Sequence, residues 1–332
     1  MNKKRKRSVS SVPIPSFTDI QHAYQKISPH IHHTPVLSSQ KVNDRAGGAI
    51  FFKCENFQKA GAFKYRGATH AVTELCSSGT PQGVATHSSG NHAQAVALAA
   101  SVRNIPAHIV MPGNAPRVKV NAVREYGADI TFCEATQDAR EKTLEEVIQQ
   151  TGALFIHPYD NPHIITGQGT AALELLQEQP DLDMMLVPIG GGGLISGCAI
   201  ATSALSPGTK MIGVEPKVAN DACLSFNTGT LHPVQSTDTV ADGLRTSLSE
   251  LTFSCIQQHV NEILTVNEQE IINAMRFIWE RMKIIIEPSS AVPVAAAFNR
   301  IDTEQKKVGI IISGGNMDLD HLPWNDNTNG TG

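Results

Sequence analysis

The chain has 332 residues, 41% hydrophobic and 17% charged, and its 27 basic and 31 acidic side chains leave a net charge of −4. That length admits two compact domains, and the composition excludes a disordered chain. The slight acidic excess argues against a nucleic-acid-binding body, which needs surplus Lys and Arg to neutralise phosphates. No apolar run reaches the roughly 20 residues that span a bilayer, so no membrane contact is expected.

In chain order, residues 1–12 carry Lys3, Lys4, Arg5, Lys6 and Arg7 with no apolar stretch after them. This reads as a frayed, solvated tail and not as a signal peptide. Beyond it, short apolar runs alternate with longer helical patterns. Strands are predicted at 50–54, 83–86, 107–111, 129–133, 154–157, 184–189, 211–214 and 308–312. MMLVPI and VGIII are apolar at every position, as expected of strands buried on both faces of a parallel sheet. Helices are predicted from Asp138, with a capping box to Glu141 and a stop at Gly152, and through GQGTAALELLQEQP to Pro180. Another starts at Asn267, with Glu270 closing a capping box and Ile271, Met275, Ile278 and Met282 on one face. The alternation argues for an open α/β architecture. The six cysteines form no CxxC pair and sit in or beside apolar runs, which points to a reduced, cytoplasmic protein.

Four strand-end motifs carry chemistry. Gly190, Gly191, Gly192 and Gly193, then Leu194, follow MMLVPI and precede a helical run. Converging backbone N–H groups and the positive end of a helix make a phosphate cradle there. Lys64, in GAFKYRGA, sits among small and aromatic residues, where a lysine can lose its proton and attack an aldehyde. Ser88, Ser89, Gly90, Asn91 and His92 form a second strand-to-helix turn, which suits either a helix cap or a carboxylate. Ser313, Gly314, Gly315 and Asn316 make a further polar turn after VGIII. Ligands of open α/β sheets gather at such strand ends.

Together, the four motifs resemble the fold type II pyridoxal phosphate (PLP) enzymes, in the serine/threonine dehydratase, serine racemase and 3-hydroxyaspartate dehydratase branch. The likeness runs from IHHTPVL to SGGNMDLDHL and takes in KCENFQKAGAFKYRGA, THSSGNHAQA, GQGT, PIGGGGLISG, ADGLRTS and ERMKIIIEPSSA. It implies a tryptophan synthase β-like fold of two open, twisted α/β domains with the active site in the cleft. Residues 13–78 and 160–322 would form the large cofactor-binding domain, 79–159 a small mobile one, and 323–332 a disordered tail.

By the same likeness Lys64 is the covalent anchor and base, Phe63 packs on the ring, and Asn91 bonds the ring oxygen. Gly190 to Gly193 with Leu194 hold the phosphate, and Ser313 meets the pyridine nitrogen. Ser88, Ser89, Gly90, Asn91 and His92 bind the substrate carboxylate, and Ser89 is the acid/base on the opposite face. Arg140 matches a substrate-side arginine, and Glu287 lies near the cofactor. Glu215, Asp221 and the carbonyl of Ala219 match a loop for a divalent cation, Mg²⁺ or Ca²⁺ and also Mn²⁺.

The implied activity is α,β-elimination from a small β-hydroxy amino acid by a homodimer. L-threonine or L-serine is the first expectation, with 3-hydroxyaspartate ammonia-lyase and serine racemase as alternatives. Ala62, before Phe63 and Lys64, is similar to the hydroxyaspartate enzymes, whereas many dehydratases and racemases have serine there. A β-carboxylate would need Arg140 or Arg245. The alternative of another class is a non-catalytic ligand-binding protein on the same fold.

Overall fold

A computed structural model describes residues 13–115 and 117–324. The basic head, and residues 325–332 of the expected tail, lie outside the described residues. The strands are β1 (Val36–Leu37), β2 (Ala49–Cys54), β3 (Val84–His87), β4 (Ala107–Pro112), β5 (Asp129–Cys133), β6 (Leu154–Phe155), β7 (Met184–Pro188), β8 (Lys210–Pro216), β9 (Glu262–Val266) and β10 (Lys307–Ile312). They form a six-stranded sheet in the order β1-β2-β10-β7-β8-β9 and a four-stranded sheet in the order β5-β4-β3-β6. Every pairing is parallel except β1 with β2.

The large sheet is buried on both faces, as its apolar strands require. Ile310 and Ile312 face helices Glu268–Met282 and Pro288–Asn299, while Ile311 between them faces helices Pro162–Glu178 and Gly193–Leu205. All three isoleucines are fully buried. Helix Pro162–Glu178 is the spacer of the molecule. A Cβ on Gly167 would lie 2.6 Å from Gly67 Cα, and one on Gly197 would lie 2.5 Å from Gly169 N. The GQGT motif therefore lets one helix touch both the helix that starts at Lys64 and the helix that follows the four glycines.

The Asn267–Glu270 capping box is present. The expected Asp138–Glu141 box is not. Thr136 caps helix Gln137–Thr151 by accepting from Ala139 N, Asp138 lies in its first turn, and Gly152 ends it in the left-handed conformation. Strand β6 is two residues long instead of four. The Ile156 carbonyl accepts from Thr86 Oγ1 (2.9 Å) and His92 Nε2 (3.0 Å) in place of a strand N–H. His157 Nδ1 then accepts from Asp160 N at 2.8 Å and turns the chain. β1 and β9 were not expected: β1 is two residues long, and β9 is a half-exposed edge. Trp324, expected in the terminal tail, packs edge-on against Trp279 at 5.3 Å.

Candidate active site

The four motifs meet where the strands of the two sheets end. Ala62 forms an antiparallel bridge with Gly314, and Phe63 N donates to Ser313 O at 2.9 Å. The segment before Lys64 is thus stitched to the end of β10. Arg66, two residues on, is fully buried and fixes the same helix. Its guanidinium donates to Glu55 (2.7 and 2.8 Å) and to Glu174 (2.8 and 2.7 Å). Lys53 completes this cluster, 2.8 Å from Glu174.

Lys64 has no such partner. Its Nζ donates to the Pro158 carbonyl at 2.9 Å and stands 5.2 Å from the centre of the Phe63 ring. Burial lowers its pKa to about 8, against the pull of the Glu287 carboxylate. A substantial share of neutral, nucleophilic amine therefore exists just above neutral pH.

Glu287 stands at the N-cap position of helix Pro288–Asn299, without a side-chain bond to its first turn, and is pushed up to about 7, first by burial and then by Asp242. Asn91 Nδ2 donates to both of its carboxylate oxygens, at 2.8 and 3.1 Å. Asn91 Oδ1 in turn accepts from Asn316 at 2.9 Å, and Asn316 also donates to Ala60 O at 2.8 Å. This Glu287–Asn91–Asn316 chain joins the two sheets at the site. It also engages both ends of the Asn91 amide, which the resemblance assigns to the cofactor oxygen. Asn316 lies in a quoted motif, but nothing local signalled its role.

Both helix starts suit anions. Gly90 precedes helix Asn91–Ser101 and Gly192 precedes helix Gly193–Leu205, and neither helix has a side-chain cap. Their first N–H groups are therefore open to a carboxylate and a phosphate. A Cβ on Gly90 would meet nothing within 4 Å. Ser88 Oγ accepts from Gly90 N at 3.3 Å, and Ser89 beside it is partly exposed. At the cradle, a Cβ on Gly191 would lie 2.2 Å from the Tyr159 ring, so that ring requires glycine there. Gly192 adopts φ +84°, and Leu194 is buried in the core behind it.

Three expected residues sit differently. The His92 ring is buried and donates from Nε2 to Ile156, and burial holds it neutral. It offers no imidazolium to a substrate carboxylate. Arg140 lies on helix Gln137–Thr151, near enough to His87 to help lower that imidazole's pKa, which burial lowers first. Its Nε is buried without a partner. Arg245 instead directs Nε and Nη2 at the Thr239 carbonyl.

Glu215 and Asp221 are both buried, and their oxygens accept from Ala222 N (3.1 Å), Cys223 N (2.7 Å) and Leu248 N (3.3 Å). Burial, then the Asp221 charge, raises the pKa of Glu215 well above its usual range, and burial raises Asp221 to about 6. Two buried carboxylates of like charge beside the buried Ala219 are an oxygen-only donor set, which fits a hard cation. Among the described residues no group of three or more His, Cys, Asp or Glu forms a metal site. Carbonyls and water would have to complete the shell.

A lysine held near neutrality between an uncapped glycine cradle and an uncapped serine turn fits pyridoxal phosphate. The family model for pyridoxal-phosphate dependent enzymes matches residues 27–314, and the chain belongs to that family. Its fold is fold type II, in a family with lyase and racemase members. Over 94% of this chain and 99% of the relative, it is 47% identical to a beta-hydroxyaspartate dehydratase from Paracoccus denitrificans. It is 46% identical to the L-threo-3-hydroxyaspartate ammonia-lyase of Saccharomyces cerevisiae, over 92% of this chain and 94% of that one. The solved structure of maize serine racemase superposes with a TM-score of 0.90 at 44% identity, covering 95% of this chain and 97% of that one. Among the described residues no helix is long and apolar enough to cross a membrane.

Proposed function

We propose that this protein is an ammonia-lyase that converts 3-hydroxyaspartate to a 2-oxo acid and ammonia, the water lost in the α,β-elimination being returned when the product imine is hydrolysed. The observation that carries this reading is the buried, unpartnered Nε of Arg140 beside the end of β3. A guanidinium placed there suits a second substrate carboxylate, which threonine and serine lack. The other candidate, Arg245, is already engaged by Thr239. The buried Ala62 and the two hydroxyaspartate-acting relatives support the same choice.

The residues divide the work as follows. The N–H groups and hydroxyls of Ser88, Ser89, Gly90 and Asn91 hold the α-carboxylate, and Arg140 holds the β-carboxylate. Gly190, Gly191, Gly192, Gly193 and Leu194 hold the cofactor phosphate on the helix N-terminus, Phe63 flanks the ring and Ser313 faces its nitrogen. Bound pyridoxal phosphate supplies an electron sink for charge left on the α-carbon. Lys64 takes the α-proton, and the Pro158 carbonyl orients its amine. Ser89 stands where a proton could be returned from the opposite face, which would give racemisation as a side activity. Glu215, Asp221 and the Ala219 carbonyl would hold Mg²⁺, Ca²⁺ or Mn²⁺, whose charge would neutralise the buried pair and order the loop.

The test is 2-oxo acid release from L-threo-3-hydroxyaspartate, L-threonine and L-serine by the wild-type holoenzyme and Arg140→Ala. The expected result is highest kcat/KM on hydroxyaspartate. Arg140→Ala should lose about 100-fold on it, the scale of a buried charge pair losing one partner, with serine changed only a few-fold. Preferred turnover of threonine or serine, with an equal loss on every substrate in the variant, would overturn the reading.

A further inference from the structure

His157 follows β6 in the segment that reaches Lys64 one residue later, through the Pro158 carbonyl. Two backbone N–H groups donate to its ring nitrogen Nδ1, Asp160 N at 2.8 Å and Tyr159 N at 3.3 Å. A ring nitrogen that accepts carries no proton, so the neutral imidazole is protonated at Nε2. Burial, opposed by Asp160 and reinforced by His87 and Lys64, lowers its pKa to about 4, so the ring is uncharged near neutral pH. Phe155 and Tyr159 pack edge-on against it, with ring centres at 5.5 and 4.6 Å, and fix its plane. Among the described residues nothing accepts from Nε2–H, and the ring is half-buried rather than sealed.

The site therefore holds a neutral donor of fixed tautomer, within electrostatic reach of both Lys64 and His87. Elimination removes a proton and a hydroxyl from neighbouring carbons. Neighbouring residues match those two demands: the Pro158 carbonyl orients the Lys64 amine, and His157 offers an N–H. A neutral donor suits a group that is uncharged when it binds and gains charge only as its bond breaks. A carboxylate is charged from the start and calls for a cation, which is the task given to Arg140.

We propose that His157 is a further catalytic residue, whose Nε2–H donates a hydrogen bond to the β-hydroxyl of the substrate and stabilises the charge that oxygen gains as it leaves. The proposal rests on the reading that the protein is a lyase of β-hydroxy amino acids, whichever of them it prefers. His157 transfers no proton, because the imidazole starts and ends neutral.

The experiment compares wild-type holoenzyme with His157→Asn. An asparagine oxygen can take over the bonds to Nδ1, as Asn161 Oδ1 already accepts from His163 N (2.8 Å) and Ile164 N (3.3 Å) four residues on. It leaves no donor in the place of Nε2. Turnover of L-serine should fall about 100-fold, the scale of one lost transition-state donor. β-Chloro-L-alanine should lose at most a few-fold, because its leaving chloride is a stable anion. Equal losses on both would overturn the proposal and leave the lyase reading standing. If the wild type turns over chloroalanine and no hydroxy amino acid, the lyase reading fails and the proposal with it. A second measurement is ¹⁵N NMR of histidine-labelled wild-type holoenzyme with α-methyl-L-serine or 2-aminoisobutyrate, neither of which has an α-proton to lose. His157 should show a protonated Nε2, whose signal shifts with the hydroxylated ligand and not with the other. A proton on Nδ1, or the same response to both ligands, overturns the proposal even if His157→Asn does not fold.

Discussion

Arg66 and Lys64 are two residues apart on one helix, yet their surroundings are opposites. Arg66 and Lys53 face Glu55 and Glu174 in a buried cluster of two positive and two negative charges. There the carboxylates hold Arg66 protonated, and although burial pushes Glu174 up, the bonds from Arg66 and Lys53 bring it below its usual value. Lys64 and Glu287 are buried without an ion pair, and burial moves each toward neutrality, to about 8 and about 7. Paired charges lock a scaffold, whereas unpaired ones stay poised to exchange protons near neutral pH. The first cluster aims the helix, and the second holds groups that titrate near neutral pH.

Removing the poised amine should have the largest effect. Lys64→Ala is expected to lower turnover by about 10⁴-fold, the upper range for a positioned base. It should also abolish borohydride trapping of the cofactor; trapping that persists would move the anchor elsewhere. Breaking the balanced cluster comes next. Arg66→Met should cost about 3–5 kcal/mol, because it leaves the buried Glu55 without its ion pair and Glu174 with Lys53 alone. A urea midpoint unchanged from wild type would mean the cluster is not a scaffold.

pH separates the two regions more gently. Lys64 titrates at 10.5 when exposed and at about 8 in the folded apo-protein. Between those values the unfolded chain binds more protons, so stability rises with pH across the window. For Glu287, raised from 4.5 to about 7, the folded state binds more protons, so stability falls as pH rises through that window. Urea titrations of apo-protein should lose the upper slope in Lys64→Met and the lower slope in Glu287→Gln. Cofactor capture by apo-protein should accelerate with pH around 8. Glu287→Gln should bring that midpoint down, since the carboxylate's pull on the ammonium is gone.

The Glu215–Asp221 pair extends the comparison to a cluster with no cation of its own. Mg²⁺ should raise the Tm of the wild type by linkage and leave Asp221→Asn unmoved. Without metal, Asp221→Asn should equal or exceed the wild type, because it removes like-charge repulsion. An equal Mg²⁺ response in both would take the metal away from this loop. The smallest effect is expected at Lys119, which pairs with the half-exposed Asp242 across the junction of the sheets. Lys119→Gln should cost at most about 1 kcal/mol and push Glu287 further up, which its pH titration would read.

Much of this molecule was legible locally. Asn267 and Glu270 are three residues apart and need only a helix to become a capping box. Apolar residues throughout β7 and along Val308–Ile312 of β10 implied burial on both faces. Glycines and serines just after β3, β7 and β10 marked where N–H groups gather, because a strand-to-helix turn is a short-range event. What proximity across the chain decided was hidden. Asn91 meets Glu287 across 196 residues and Asn316 across 225. Such pairings leave no period or spacing to read. The interior also reassigned side chains that a motif presents as one group, turning His92 to Ile156 and Arg245 to Thr239, and leaving the Nε of Arg140 buried without a partner. Sequence determined which chemical groups stand at the strand ends, through local backbone geometry. Tertiary structure alone decided which of them are paired, desolvated or free, because those properties depend on neighbours that only packing brings together.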